Sequence, residues 1–430
     1  MKKIIQLKLK ILAKMILAKY KPRVVGITGS VGKTSAKEAI YAVLSVQFRV
    51  RRPLKNYNNE IGLPLAIIGA KSPGKSIFGW LGIFFKALGL LLIKNKKYPE
   101  ILILEMGVDR PGDMKYLLKI VKPEIGVITS IGASHLEYFS SVEQIKEEKS
   151  GLIKGLGKDN WAVLNYDNEL IRGLENKTKA RVITYGFSQP AQIRADELKF
   201  SFEESREIAN LLGLGFKLKY NNQSVKVILA DVLGYSGVYA ALAAASVGLA
   251  LGINLEKIAQ ALENIKLPPG RMNLIDGIKN TIIIDDTYNS SPDSSISALD
   301  LVSKISASQG ARKFAILGDM LELGGFSEAG HKQVGKRAVE AGIDKLIAVG
   351  ERARDIARGA EEAGMNKDNV FYFPDAVAAG KFTQDRIKEG DIILVKGSQG
   401  MRMEKIVKEI MAEPLRVNEL LVRQDGQWIE

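Results

Sequence analysis

The sequence predicts an α/β fold of two domains, the first built on a mostly parallel sheet with a phosphate-binding loop (P-loop) and the second Rossmann-like. Three observations predict this. The glycine-rich string Gly26 to Thr34 follows an apolar pair and leads into a helical pattern. Short apolar runs alternate with helical segments from residue 101 onward, which is typical of parallel strands joined by helices. The string Pro268-Pro269-Gly270 interrupts this alternation, so we place the domain boundary there.

Composition and length limit the classes of protein that this chain can belong to. A chain of 430 residues with 46% hydrophobic and 26% charged residues is globular and long enough for two or three domains. Its net charge of +14 suits anionic substrates, nucleic acid or an acidic membrane surface. No cluster of arginines and aromatics is present, so we expect no nucleic-acid binding. The absence of cysteine excludes disulfides and thiolate chemistry, which leaves oxygen or imidazole to hold any metal. We expect a monomer.

The first segment, residues 1–21, contains a basic amphipathic helix over residues 2–20, where apolar positions fall near helical spacing between lysines. Such a helix either lies on an anionic membrane or packs on its own protein. Lys8, Lys10 and Lys14 interrupt the apolar run and no cleavage site follows, so a signal peptide is not expected. The predicted location is the cytoplasm, and the two placements of the helix leave membrane association open.

The P-loop predicts chemistry on a nucleoside triphosphate. The string departs from the general pattern at Ile27, where glycine is usual, but it fits the shorter Thr-Gly-Ser-x-Gly-Lys-Thr form. The backbone N–H groups of Gly29, Ser30, Val31, Gly32, Lys33 and Thr34 would then cradle phosphates at a helix N-terminus. The Lys33 ammonium would reach the β- and γ-phosphates and the Thr34 hydroxyl would contact Mg²⁺.

A second apolar stretch, residues 77–93, lies within a helical insertion over residues 72–98. It is shorter than the roughly 20 residues that span a bilayer, and Lys86 lies in its middle, so a transmembrane helix is not favoured. An interfacial helix and a helix packed on protein both stay open.

The remaining apolar runs give the order of elements. The runs read as strands in the first domain are Ile101–Leu104, Ile125–Thr129, Trp161–Leu164 and Val182–Tyr185, before an antiparallel flap over residues 190–232 and helices over Val238–Leu251 and Leu255–Leu262. Those of the second domain are Thr281–Asp285, Lys313–Leu317, Lys345–Val349, Val370–Phe373 and Ile392–Lys396. No Gly-x-Gly-x-x-Gly follows its first strand, so no dinucleotide cofactor is expected.

Polar residues follow several predicted strands of the first domain, where open α/β sheets bind ligands. Glu105 ends one strand and His135 follows the next, and a carboxylate and an imidazole near a P-loop suit Mg²⁺. Asn58 and Asn59 precede an apolar helix. From the residues alone, Lys149 is a surface lysine.

The second domain has its own strand-end cluster, Asp285 to Ser294. Paired carboxylates followed by a Tyr288-Asn289 turn offer metal or base function and an amide that could contact adenine. Arg271, just past the boundary, could bring a cation to a phosphate. Asp319 and Lys396 lie at the ends of two further strands.

Together these strings resemble the Mur ligase family, and most closely its members that add D-alanyl-D-alanine. The matching strings, in family order, are Thr28–Glu38, Asn56–Pro64, Glu105–Gly107, His135–Glu137, Asp285–Ser294, Gly318–Gly324 and Lys396–Ser398. The resemblance implies a central ATP-binding domain over residues 22–268 and a C-terminal Rossmann-like domain over residues 269–430.

The resemblance also implies a reaction. ATP would phosphorylate the carboxylate of a UDP-MurNAc-tripeptide-like acceptor, and the amine of D-Ala-D-Ala would attack the acyl phosphate to form an amide of a peptidoglycan precursor. Lys33, Lys149, His135 and Arg271 would be catalytic, with Lys149 carbamylated and joining Thr34, Glu105 and His135 around Mg²⁺. Asn289 and Arg271 would contact ATP. Asn58, Asn59, Asp319 and Lys396 would face the substrates.

Departures from the family pattern keep alternatives open. Only about twenty residues precede the first predicted strand, so the usual N-terminal UDP-binding domain is expected to be absent. Ser236 and Ala240 stand where many relatives have His and Asn. One alternative is a different carboxylate acceptor, either of the folylpolyglutamate-synthase type or presented at a membrane. Another is a Mur-like partner subunit that docks on a membrane through residues 2–20 and 77–93.

Overall fold

The computed structural model describes residues 2–53, 57–132, 138–202, 211–305 and 310–424. The chain divides into two compact units. The first comprises residues 1–197, 216–227 and 236–266, and the second comprises residues 198–215, 228–235 and 267–430.

The central sheet has nine strands in the order β2-β3-β1-β4-β5-β6-β7-β8-β9. These strands are β1 (Arg23–Thr28), β2 (Val50–Arg51), β3 (Ile101–Glu105), β4 (Ile125–Ile128), β5 (Trp161–Asn165), β6 (Arg181–Gly186), β7 (Ile193–Phe202), β8 (Leu211–Tyr220) and β9 (Gln223–Ala230). Each neighbouring pair from β2 to β7 in this order is parallel. Only Asn221 and Asn222 join β8 to its neighbour β9, and a connection that short requires antiparallel strands.

Helices pack on this sheet, and several of them lie in the connections between parallel strands, which must cross over a face. They are α1 (Lys2–Tyr20), α2 (Lys33–Ser45), α3 (Gly62–Ile68), α4 (Ile77–Leu92), α5 (Asp113–Leu118), α6 (Val142–Lys154), α7 (Tyr235–Ala250) and α8 (Leu255–Glu263). Side-chain caps fix the first residue of two of these helices. Ser141 caps α6 by accepting a hydrogen bond from the Gln144 N–H at 3.2 Å, and Asn254 caps α8 through the Lys257 N–H at 2.9 Å.

Strand register brings the polar strand ends together. β1 lies between β3 and β4, with Ile27 opposite Glu105 and Thr28 opposite Ile128. Because parallel strands end at the same edge, the P-loop, Glu105 and the residues after β4 share that edge.

The second unit contains a six-stranded sheet in the order β10-β11-β15-β12-β13-β14. Its elements are β10 (Asn273–Gly277), β11 (Thr281–Asp286), α9 (Pro292–Lys304), β12 (Lys313–Gly318), α10 (Ser327–Glu340), β13 (Lys345–Val349), α11 (Arg354–Glu362), β14 (Val370–Phe373), α12 (Ala376–Arg386), β15 (Ile392–Lys396), α13 (Glu404–Ile410) and α14 (Val417–Leu420). Ile282 and Ile284 join one apolar core and Ile283 joins another, so both faces of this sheet are covered.

The predicted fold class is confirmed: both sheets are mostly parallel and flanked by helices. Strand β10 was not predicted. It pairs antiparallel with β11, and its Asn-Leu-Ile-Asp-Gly sequence is too polar for the pattern of a buried strand. Among the described residues, no helix combines the length and apolar content needed to cross a membrane.

Candidate active site

The P-loop closes tightly against the end of β4. Gly29 has φ +155°, and a Cβ added there would lie 2.0 Å from Thr129 Oγ1, so glycine is required for this close approach. Gly32 has φ +84° and directly precedes α2. The first-turn N–H groups of α2 have no acceptor within the helix, and no side chain caps it, which leaves this end suited to an anion.

Ser130 holds part of the loop. Its carbonyl accepts a hydrogen bond from the Ser30 N–H at 2.8 Å, and its hydroxyl accepts one from the Val31 N–H at 2.8 Å. Of the N–H groups of Gly29 to Thr34 that were expected to bind phosphate, those of Ser30 and Val31 therefore already donate to Ser130 in this structure.

Two lysines meet at one carbonyl oxygen. The ammonium groups of Lys33 and Lys149 both donate to the Gly29 oxygen, the latter at 3.4 Å. Lys149 lies on α6 and is only 1% exposed, so it is not the surface lysine that the residues alone predict. Burial, reinforced by the positive charge of Lys33, lowers the pKa of Lys149 to about 7.

Oxygen ligands lie beside this cation pair. The Thr34 hydroxyl donates to Glu105 Oε2 at 3.3 Å, and the other oxygen of Glu105 lies 3.1 Å from Lys37 Nζ. Lys37, which was not predicted, is 1% exposed and also donates to the Pro53 carbonyl at 2.8 Å. Thr34 and Glu105 together fit a small divalent cation that keeps several waters. Among the described residues, no three His, Asp or Glu side chains form a metal cluster.

A cavity of about 240 Å³ adjoins the P-loop. Its lining residues are Val31, Gly32, Ala36, Thr129, Ser130, Asn165, Asp167, Asn168, Tyr185, Ser236, Tyr239 and Ala240. Within the described residues, the Tyr185 hydroxyl and Asn168 Oδ1 are buried without a hydrogen-bond partner. Asp167 instead accepts from Phe187 N–H, Ser188 N–H and the Tyr239 hydroxyl, which fixes one wall. A polar ligand would satisfy the two unpaired atoms.

Sequence reasoning predicted Val31 and Gly32 as ATP-binding and noted Ser236 and Ala240 only as departures from the family pattern, but it did not single out Asn165, Asp167, Asn168, Tyr185 or Tyr239. A signal was present in the sequence, because Asn165 ends β5 as Glu105 ends β3, and the polar residues Asp167 and Asn168 follow it. Tyr185 gave no such signal, because it lies within the apolar run that was predicted as a strand.

In the second unit, the register of β11 and β15 brings the polar residues at their ends together. Asp286 lies opposite Lys396, and the Lys396 ammonium contacts Asp286 Oδ2 at 2.5 Å and the Asn289 carbonyl at 2.9 Å. Lys396 is only 2% exposed, and its hydrogen bond to the Asn289 carbonyl holds that turn in place. Ser291 and Ser294 form a capping box at the start of α9, with Pro292 in its first turn, which explains the end of that string.

Asp285 is fully buried and accepts hydrogen bonds from the Thr287 N–H at 3.1 Å and hydroxyl at 2.6 Å. Burial raises its pKa to about 7 although both bonds oppose the shift. Arg271 stacks over Tyr288, 4.1 Å from the ring centroid, and its buried Nε has no hydrogen-bond partner among the described residues.

Asp319 accepts a hydrogen bond from the Ala353 N–H at 2.7 Å, and burial raises its pKa. The adjacent Met320 N–H donates to Nε2 of His331 at 2.9 Å, so that nitrogen is the acceptor and Nδ1 donates to the Ser327 carbonyl at 2.7 Å. His331 therefore supports the loop after β12, a role that sequence did not predict.

Two predicted loop residues have local roles. Asn59 Oδ1 accepts from the Ile61 and Gly62 N–H groups at the start of α3, and the Asn58 carbonyl accepts from the Gly107 N–H at 2.8 Å. His135 lies outside the described residues.

Comparison with known proteins identifies the family. The Mur ligase middle domain matches residues 86–248, and the domain described as "Mur ligase, glutamate ligase domain" matches residues 270–399. The chain is 32% identical to UDP-N-acetylmuramoyl-tripeptide–D-alanyl-D-alanine ligase of Bacillus subtilis, over 94% of this chain and 79% of that protein. The chain belongs to the Mur ligase family.

Further members of the Mur ligase family agree. The Escherichia coli ligase of the same name is 29% identical over 93% of this chain and 79% of that protein. The crystal structure of MurF ligase from Thermotoga maritima in complex with ADP superposes with a TM-score of 0.76 at 26% identity, covering 94% of this chain and 83% of that one. These findings confirm the predicted family. They also confirm the predicted enzyme class, because Mur ligases of this type are ATP-dependent ligases that form amides.

Proposed function

We propose that this chain joins D-Ala-D-Ala to the carboxylate of a UDP-MurNAc-tripeptide at the expense of ATP, with Mg²⁺. The observation that carries the site assignment is the meeting of Lys33, Lys149, Thr34 and Glu105 around the open start of α2. The Lys33 ammonium supplies positive charge where phosphates would lie, Lys149 lies beside it at the same carbonyl oxygen, and the Thr34 and Glu105 oxygens adjoin the start of the helix. The names of the B. subtilis and E. coli relatives support the pair of substrates.

The residues divide the phosphoryl transfer between them. The start of α2 and the Lys33 ammonium would hold the β- and γ-phosphates, and Lys33 would balance the charge that develops as the γ-phosphoryl group moves to the acceptor carboxylate. Bound Mg²⁺, held by Thr34 and Glu105, would neutralise phosphate charge. The amine of D-Ala-D-Ala then displaces phosphate from the acyl phosphate, which yields the amide and inorganic phosphate.

The cavity beside the loop is the proposed nucleoside site. It begins at Val31 and Gly32, and its unpaired Tyr185 hydroxyl and Asn168 amide oxygen offer polar contacts to a base or ribose. Asn289 and Arg271 are assigned to ATP on the family resemblance. Asn58, Asn59, Asp319 and Lys396 are assigned to the substrates on the same ground.

Lys149 is proposed to react with CO₂. A buried amine with a pKa of about 7 is largely neutral at pH 8, and the neutral amine is the nucleophile. The nitrogen of this neutral amine forms a bond to the carbon of CO₂ and loses one proton to solvent, which leaves a carbamate anion at the P-loop beside Lys33. We assign that anion, with His135, to the Mg²⁺ ligands.

Release of phosphate tests the function. With ATP and Mg²⁺, we expect phosphate only when UDP-MurNAc-tripeptide and D-Ala-D-Ala are both present, with the UDP-MurNAc-pentapeptide as coupled product. Lys33→Met should abolish release, whereas Lys146→Met, a lysine change on α6, should preserve it. Turnover with folate and glutamate instead would overturn the proposal.

A further inference from the structure

Helix α1 carries two opposite apolar faces. Leu9, Ala13 and Ile16 are fully buried in the core of the first unit. A second set, spaced by three, four and four residues, forms a stripe on the opposite side and is between 49% and 60% exposed: Ile4, Leu7, Ile11 and Met15. The core uses only one of the two faces.

Helix α4 repeats this arrangement. Ile83, Ala87 and Leu90 are buried in the same core. The opposite stripe, spaced by three or four residues, is between 45% and 86% exposed: Phe78, Leu81, Phe85, Leu88 and Leu92. Phenylalanines exposed to this extent, in one row, mark a surface that binds something.

The two stripes are neighbours. The Tyr20 hydroxyl at the end of α1 donates to the Leu90 carbonyl of α4 at 2.9 Å, and Lys19 Nζ donates to the same oxygen at 2.9 Å. Since both helices bury their inner faces in one core and contact each other, their outer stripes form one apolar surface. We call it the α1–α4 face.

Charge indicates what covers the α1–α4 face. Residues 1–37 and 61–99, which contain both helices, include no aspartate or glutamate. Lys8 and Lys14 flank the α1 stripe and are exposed, as are Lys75 before α4 and Lys94 after it. Apolar stripes that are edged by lysines and lie on two segments without acidic residues complement an anionic lipid surface, where apolar side chains enter the acyl boundary and lysines meet phosphates.

We propose that the α1–α4 face docks this ligase on an anionic lipid bilayer, with both helices in the plane of the interface. Neither helix spans the bilayer, which agrees with their length and apolar content. This inference stands apart from the proposed reaction, because none of its residues belongs to the active site.

Vesicle co-sedimentation of the full chain tests the docking. We expect binding to vesicles of phosphatidylcholine with 30% phosphatidylglycerol, weakening as salt rises, and much weaker binding to phosphatidylcholine alone. Phe78→Ser with Phe85→Ser should reduce partitioning at least about tenfold. Val377→Ser with Leu415→Ser, exposed apolar positions of the second unit, should leave partitioning unchanged.

A second pair of variants separates charge from apolar contact. Lys8→Gln with Lys14→Gln should weaken binding to anionic vesicles about fivefold per lysine, whereas Lys405→Gln with Lys408→Gln should not. Circular dichroism and phosphate release, equal to those of the unmodified chain, establish that each variant is folded. Equal binding by the phenylalanine variant overturns the proposal. The proposal is also overturned if the unmodified chain does not bind vesicles but self-associates, and the phenylalanine variant abolishes that self-association. The partner of the α1–α4 face is then a second copy of the chain.

Discussion

Replacing Lys149 with methionine gives a quantitative test of the active site. Methionine keeps most of the apolar length and removes the ammonium group that contacts Gly29. In the unfolded chain a lysine titrates near pH 10.4, whereas burial lowers the pKa of Lys149 to about 7 in the folded chain. Between these values the unfolded state binds about one more proton than the folded state.

The sign and size of the effect follow from this difference in bound protons. Stability rises with pH wherever the unfolded state binds more protons, at about 1.4 kcal/mol per pH unit for one proton. From pH 7.5 to 9.5, Lys149 alone should therefore add about 2 to 3 kcal/mol to the free energy of unfolding. Below pH 7 the folded state is protonated as well, and the slope should vanish.

The assay is urea unfolding at half-unit pH intervals in CO₂-free buffer, followed by circular dichroism. Other titrating groups contribute equally to both proteins, so the difference between the unmodified chain and Lys149→Met isolates this lysine. We expect the variant to be the more stable protein at pH 7.5 and its advantage to shrink as pH rises. Lys146→Met controls for a lysine removed from the same helix. Parallel stability curves across this range would refute the buried, neutral amine.

Three further predictions concern neighbouring contacts. Gly29→Ala places a Cβ 2.0 Å from Thr129 Oγ1, so it should abolish nucleotide binding measured by calorimetry, whereas Gly157→Ala, with no atom within 4 Å, should not. Thr34→Val removes the hydroxyl 3.3 Å from Glu105 and should raise the Mg²⁺ concentration for half-maximal phosphate release at least about tenfold, with Thr34→Ser restoring it. Arg423→Met removes one of two arginines from the buried Glu404 carboxylate and should cost about 2 to 4 kcal/mol in urea unfolding; an unchanged midpoint would contradict this.

The sequence was most informative where strands are buried. Runs such as Ile101–Leu104 and Ile392–Lys396 became strands with almost the predicted bounds, because buried parallel strands consist of continuous apolar residues. The P-loop and Glu105 were predictable for the same reason, since strand ends locate them. Lys149 was predicted only through the family resemblance, because a lysine on a helix shows its burial only once the opposing sheet edge is known.

Helix α1 shows a different limit of sequence reasoning. Apolar spacing predicted the helix correctly, yet left two placements open, on a membrane or on the protein. The structure shows why periodicity could not choose between them: α1 carries one stripe that enters the core and another, on the opposite side, that stays exposed. A helix with one apolar stripe needs one partner, and a helix with two needs two. The core supplies the first partner, and the lysines that flank the second stripe are the physical reason to look for the other at an anionic bilayer.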